Sequence, residues 1–177
     1  MAKAGTHYER AFEDMLRRRG IAYVAVDQAK KAIFAGVRIK SFDFLVYPAK
    51  GDKILVDVKG RKFSYAAYQQ GRWGETWVTG VDVEGLSCWE EVFGAGYKSA
   101  FVFAYWLTDS NSGGPERENG LFDDIYHFEG RDYAFAVTEV DTYQRRMRKR
   151  SARWNTVFVS QRQFRRMARP FGEYIRG

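Results

Sequence analysis

The chain has one cysteine, Cys88, and two histidines, His7 and His127, among 177 residues. A single thiol cannot form an internal disulfide and suits a reducing compartment. So few Cys and His residues assemble neither a zinc cluster nor a Cys–His nucleophilic pair. No run of 18 apolar residues occurs, so no membrane-spanning helix and no membrane partner are expected. The opening residues, MAKAGTHYERAFED, lack the apolar core of a signal peptide, and a cytoplasmic location is expected. No phosphate loop with a Gly-Lys-Ser/Thr end occurs, which removes the usual signal for nucleotide binding.

Acidic residues are scarce toward the C-terminus. Residues 145–177 hold eleven Lys/Arg against one Asp/Glu, a net of +10, so the other 144 residues carry −3 of the overall +7. Such a field attracts polyanions and holds phosphate backbones without reading sequence. The densest part supplies Arg145, Arg146, Arg148, Lys149, Arg150 and Arg153 as candidate nucleic-acid contacts. The alternative is a solvated face. Interleaved Trp154, Val157, Phe158, Phe164 and Met167 argue that the region is folded.

Residues 41–62 read SFDFLVYPAKGDKILVDVKGRK. A β-hairpin is expected, its first strand ending at Pro48 and its turn made by Lys50, Gly51 and Asp52. Asp43 falls in the first strand, and Asp57 and Lys59 fall at the end of the second. Side chains two apart share a face, so Asp57 and Lys59 project together beside Leu55, while Ile54, Val56 and Val58 fill the opposite face. A charged pair on an apolar strand is costly when buried without partners. Two readings are open: an edge strand ending in a solvated ion pair, or a site completed by a metal and a phosphate. Carboxylates suit Mg²⁺, which usually takes only one or two from the protein. A bound divalent ion acidifies its water and neutralises phosphate charge. A neighbouring lysine can stabilise the developing negative charge. Asp57-Val58-Lys59 is the only Asp/Glu-X-Lys triplet in the chain.

Residues 6–19, THYERAFEDMLRRR, have helical periodicity, with Tyr8, Ala11, Phe12, Met15 and Leu16 in one apolar stripe. Thr6 is an N-cap candidate with Glu9 three residues on, and Gly20 is the stop signal. Glu9 lies at the edge of the stripe, where it can close a capping box or reach toward the sheet. Glu13 lies further toward solvent and is expected to pair with Arg17.

The resulting order is a helix with Glu9, a strand, a strand with Asp43, a strand with Asp57-X-Lys59, a helix and a strand. This resembles the PD-(D/E)XK nuclease superfamily, whose core is α-β-β-β-α-β, over about residues 6–107. Glu9 matches the family's first-helix glutamate, Asp43 its second-strand aspartate, and Asp57 with Lys59 its (D/E)XK pair. Glu9-Arg10 ahead of Gly20 looks like the opening helix of archaeal Holliday-junction resolvases. Phe42 departs from the pattern, which has proline before the aspartate. The string His7-Tyr8-Glu9-Arg10-Ala11-Phe12-Glu13 also resembles the signature of a small bacterial family named HYExAFE. That resemblance singles out His7 and Glu13, with His7 open as a phosphate contact, a proton carrier or a capping residue.

The resemblance implies a restriction-endonuclease-like α/β core with a mixed sheet. It implies that Asp43 and Asp57 bind Mg²⁺, with Mn²⁺ able to substitute. The Val58 carbonyl would be a further ligand and Glu9 would hold a metal-bound water. Lys59 would position the attacking water or stabilise the pentacovalent phosphate. Arg61 and Lys62 would join the basic extension in gripping DNA. A homodimer is open, since many relatives cut both strands as dimers. The expected function is metal-dependent phosphodiester hydrolysis, with DNA as the expected substrate. The alternatives are a catalytically silent nucleic-acid-binding module of the same fold, and an interaction subunit using its basic region.

A single domain over 1–177 is expected, with its core over about 6–107 and a basic α+β extension over about 121–177. The remaining expectations are a strand over 21–26 and a loop or irregular strand over 28–40, bringing Lys30, Lys31, Arg38 and Lys40 toward the site. The aromatics Tyr65, Tyr68, Trp73 and Trp77 either pack or stack on bases. A second core helix is expected over 83–93, and a strand buried on both faces over 100–107. A polar loop over 108–120 precedes a hairpin turning at Glu129-Gly130. A short basic helix over 142–149, a strand over 154–159 and a helix capped by Ser160 and ended near Pro170 complete the chain.

Overall fold

The structure is a computed structural model that describes residues 5–27, 32–34, 37–70, 72, 74–109 and 124–177, with backbone alone for 32–34, 37, 68 and 69. Lys30, Lys31, Trp73, the Tyr68 side chain and most of the 108–120 loop lie outside the described residues.

Helix α1 (His7–Arg18) starts where the capping box is satisfied: Glu9 N–H donates to Thr6 Oγ1 at 3.4 Å, and Thr6 N–H donates back to Glu9 Oε2 at 3.3 Å. It ends at Gly20, whose φ of 65° is left-handed. Ala11, Phe12, Met15 and Leu16 form its buried stripe. Strand β1 (Ala22–Ala25) follows, then a short hairpin of β2 (Ala32–Phe34) and β3 (Val37–Ile39) where a loop or irregular strand was expected. Next come β4 (Phe44–Tyr47), β5 (Lys53–Ser64), α2 (Tyr65–Gln69), β6 (Val78–Thr79), α3 (Gly80–Phe93) and β7 (Tyr97–Thr108). The chain closes with β8 (Ile125–Phe128), β9 (Arg131–Glu139), α4 (Val140–Arg146), β10 (Arg148–Ser151), β11 (Thr156–Phe158), α5 (Gln161–Met167), β12 (Arg169–Pro170) and α6 (Phe171–Tyr174).

The main sheet runs β1-β4-β5-β7-β9-β12, with β8 on β9. Its β5–β7 pair is parallel from Lys53↔Tyr97 to Ser64↔Thr108, and its other pairs are antiparallel. The parallel pair needs a crossover, and α3 supplies it. Alternation along β5 then sorts the core. Ile54, Val56 and Val58 pack on the α1 face with Phe12 and Phe171, whereas Leu55 and Phe63 pack on the opposite face with Val83 and Leu86 of α3.

The structure corrects several boundaries. Strand β5 does not end at Lys59 but continues to Ser64, because β7 pairs with it along its whole length. Asp57 and Lys59 therefore sit mid-strand in the centre of the sheet. Asp43 lies at a bend one residue before β4. Helix α3 begins at Gly80 rather than Val83, because Thr79 caps it. The basic helix expected over 142–149 stops at Arg146; Met147 turns extended, and Arg148–Ser151 pairs with β11 instead. After α5, Arg169–Pro170 forms a short edge strand on β9, a position where proline's missing N–H is tolerated. Strands β10, β11 and β6 form a separate three-stranded sheet.

Candidate active site

Asp43 is 7% exposed and Asp57 6% exposed, so the reading of a solvated ion pair at a sheet edge does not hold. The bend at Asp43 lets its backbone N–H bond Val56 O at 2.8 Å while its carboxylate Oδ2 accepts from Val58 N–H at 2.6 Å. Asp43 thereby reaches across to the strand that carries Asp57 and Lys59. Burial pushes the Asp43 carboxyl up to about 8, and the negative charges of Asp57 and Glu9 push the same way, against the Val58 N–H bond and Lys59.

Lys59 shares its face with Asp57, and its Nζ lies 2.9 Å from Asp57 Oδ2. It also lies 3.1 Å from Asp82 Oδ2, and Asp82 is only 3% exposed. Asp82 is the third residue of α3. It closes that helix's capping box by accepting from Thr79 N–H at 2.8 Å, while Asp82 N–H donates to Thr79 Oγ1 at 3.1 Å. Its other oxygen pairs with Lys40 Nζ. Helix α3 passes close to Lys40: Trp89 Nε1 donates to Lys40 O at 2.8 Å, and a Cβ on Gly85 would lie 3.2 Å from Lys40 Cβ. Burial, then the Lys59 charge, lowers the Lys40 ammonium below the usual lysine range. Asp57, Lys59, Asp82 and Lys40 thus form one chain of alternating charge. Sequence reasoning missed Asp82, although Thr79-X-X-Asp82 is a capping-box signal.

Glu9 bonds Thr6, through its N–H and Oγ1, and still lies near enough to act on Asp43. Glu9 therefore closes the capping box, and its charge also acts on Asp43. Tyr8 fixes this end of α1 against β5: a Cβ on Gly60 would meet the Tyr8 ring at 2.1 Å. Glu13 accepts from Tyr23 O–H at 2.9 Å, while Arg17 pairs with Asp14 at 3.5 Å, so the expected Glu13–Arg17 pairing gives way to these contacts. His7 Nδ1 lies 2.7 Å from Tyr133 Oη, and its ring meets Trp106 edge-on at 5.4 Å. Burial, then Arg131, Arg10 and Lys62, lowers its pKa.

The proposed grip residues separate into two kinds. Arg61 points inward: its guanidinium donates to Gly60 O at 2.8 Å and to Trp77 O, and lies 4.2 Å from the Trp77 ring centre. Lys62 is exposed, with its ammonium over Trp106 at 5.1 Å. Arg145 pairs with Asp141 one helical turn away at 2.9 Å. Arg146, Arg148, Lys149, Arg150 and Arg153 are exposed, the last four on the β10–β11 hairpin.

Among the described residues, no group of three or more His, Cys, Asp or Glu side chains is arranged to hold a metal ion. The donors that do converge, two buried carboxylates, fit a hard cation that takes few protein ligands. Burial first, and then the negative charge of Asp57, raises Asp43, and a bound cation would relieve the charge part of that penalty. Val58 contributes its N–H to Asp43. Among the described residues no helix is long and apolar enough to cross a membrane.

No family model and no curated protein matches the chain, so the resemblance of residues 7–13 to the HYExAFE family is unsupported. Among solved structures, the chain is similar to Hjc, a Holliday junction resolvase from the archaeal hyperthermophile Archaeoglobus fulgidus. The two share 13% identity and a TM-score of 0.55, over 97% of this chain and 99% of that chain. At that identity the likeness is one of fold. The chain has a restriction-endonuclease-like mixed α/β fold, as the order of elements implied.

Proposed function

We propose that this protein is a metal-dependent nuclease that hydrolyses phosphodiester bonds in DNA. The gathering of Asp43, Asp57 and Lys59 at the centre of a restriction-endonuclease-like sheet is the observation that carries it. Such a fold hosts many activities, so the residues rather than the fold must bear the assignment.

Asp43 and Asp57 would hold Mg²⁺, or Mn²⁺ in its place, with the Val58 carbonyl and a water on Glu9 completing the set. When bound, the ion supplies charge neutralisation at the phosphate and an acidified water. Lys59, held by both Asp57 and Asp82, presents a positive charge where negative charge develops on the phosphate oxygens. Asp82 keeps that ammonium pointed at the site if Asp57 turns to another cation. Exposed cations on the β10–β11 hairpin, with Lys62, bind the DNA backbone without sequence preference.

The test is a Mg²⁺- and Mn²⁺-dependent cleavage panel of single-stranded, duplex, flap and junction DNA with matching RNA, for wild type and Asp57→Asn. Wild type is expected to cut at least one DNA. Asp57→Asn is expected to lose cleavage and keep DNA affinity, since the carboxylate is removed and the basic surface is not. Wild-type rates in the variant would remove Asp57 from catalysis. A wild type that binds DNA and cuts nothing would make this a silent binding module.

A further inference from the structure

Among the described residues, Trp154 is the most solvent-exposed of the large apolar side chains, at 67%. It sits in the turn between β10 and β11, and the Arg153 guanidinium lies 5.0 Å from its ring centre. The turn is held from several sides. Trp154 N–H donates to Ser151 Oγ at 3.3 Å, and Asn155 takes a left-handed φ of 45°. Asn155 O accepts from Gly80 N–H at 2.8 Å, and Thr156 pairs with Thr79. Thr79 and Gly80 open α3, whose third residue, Asp82, holds Lys59. The indole is therefore presented on a backbone fastened to the element that reaches the candidate active site.

An exposed tryptophan calls for a partner, and its surroundings select one. Arg148, Lys149, Arg150 and Arg153 are exposed on the same hairpin. A second copy of so basic a surface would be repelled. No other large exposed apolar side chain lies on the hairpin, so it does not offer the apolar face that inserts into a lipid surface. A ring beside a row of exposed cations matches a nucleic-acid strand, with phosphates for the cations and a base face for the indole. Bases stacked within a continuous duplex offer no free face, so the matching strand has an unpaired base.

We propose that Trp154 is a stacking platform for an unpaired base, so that the preferred ligand is DNA with an unpaired stretch rather than continuous duplex. The platform rests on the DNA-binding part of the proposed function.

The full chain is titrated in chelator against two dye-labelled DNAs of one sequence, a perfect duplex and the same duplex with an internal unpaired stretch, following anisotropy at several salt concentrations. Wild type is expected to favour the unpaired probe. Trp154→Ala should weaken that probe by about 5- to 150-fold, the range for one base on an aromatic ring, and barely change the duplex or either salt slope. Trp154→Phe should recover part of the loss. Equal binding of both probes by wild type, equal weakening of both by Trp154→Ala, or no change in either would overturn the proposal. So would Trp154-dependent binding to anionic phosphatidylglycerol vesicles with DNA affinity unchanged. Because binding is read in chelator, a Trp154 effect without cleavage under any condition would retire the nuclease reading and leave the platform. Cleavage without a Trp154 effect would do the reverse.

Discussion

Asp43→Asn should make the metal-free protein more stable, although the proposed function gives Asp43 a central part. The Asp43 carboxyl is raised from 3.8 to about 8, by burial first and by Asp57 second. Between those two values the folded protein carries a proton at Asp43 that the unfolded chain does not. Stability therefore falls as pH rises, by about 1.4 kcal/mol per unit, and levels off above the folded value. Below 3.8 both states are protonated and the penalty vanishes. At pH 7 the window crossed is roughly three units, or about 4 kcal/mol. Asparagine has the same shape, carries no charge, and can accept the Val58 N–H bond through its amide oxygen. It returns most of that penalty, leaving a gain of about 2–4 kcal/mol at pH 7, or about 5–15 °C in Tm for a chain of this size.

Urea and thermal unfolding in chelator, from pH 4 to pH 8.5, check this. The difference between variant and wild type isolates Asp43 from groups that titrate in both. It should be near zero at pH 4 and grow to about pH 8. Mg²⁺ should narrow it by stabilising wild type, by about 2.7 kcal/mol at a hundred times Kd, and leave the variant unmoved. A variant that folds normally yet is equal to or weaker than wild type at pH 7 would show that the buried carboxyl carries no such penalty. The reason to expect a cation beside it would fall as well.

Neutralising Arg148, Lys149 and Arg150 together should weaken DNA of every sequence and flatten the plot of log affinity against log salt by roughly 0.7–0.9 for each phosphate no longer held. Unchanged affinity and slope would make the hairpin a solvated face, and each single change should alter stability by no more than about 0.5 kcal/mol, because these side chains are exposed. Asp82→Asn should lower the single-turnover rate and cost about 3 kcal/mol in urea unfolding, because Lys59 loses a buried partner. Thr79→Val, which removes the cap but not the ion pair, should cost about 1 kcal/mol and leave the rate intact. Equal rates in the two variants would assign Asp82 to capping alone.

The core of the fold was legible because local signals and long-range pairing agree there. The Thr6–Glu9 box, the stripe through Phe12 and Leu16, the alternation in residues 53–59 and the apolar run over 100–107 each carry their own periodicity. The C-terminal elements were read less well, because their structure depends on distant partners. Nothing near Arg148–Ser151 says strand; that segment is extended because Thr156–Phe158 lies beside it and Val78–Thr79 beyond that. Pro170 reads as a stop, but only the edge of β9 turns Arg169–Pro170 into a strand.

The candidate site divides along the same line. Asp57-Val58-Lys59 has the same period-two pattern in a solvated edge strand as in a buried central one. What distinguishes the two is β7, which pairs with β5 beyond Lys59 and makes it a central strand, and α3, whose Asp82 meets Lys59 over its face. Asp82 has a local job, capping α3, and that job is written in Thr79-X-X-Asp82. Its second job, holding Lys59 and Lys40, follows only when α3 crosses between the parallel strands and sets its N-terminus over them. A capping carboxylate is already held in place by the backbone of its own helix, so it can hold a lysine with little further loss of side-chain freedom. The helix start therefore fixes the direction of the lysine, and a residue that reads as a boundary marker also holds the centre of the candidate site.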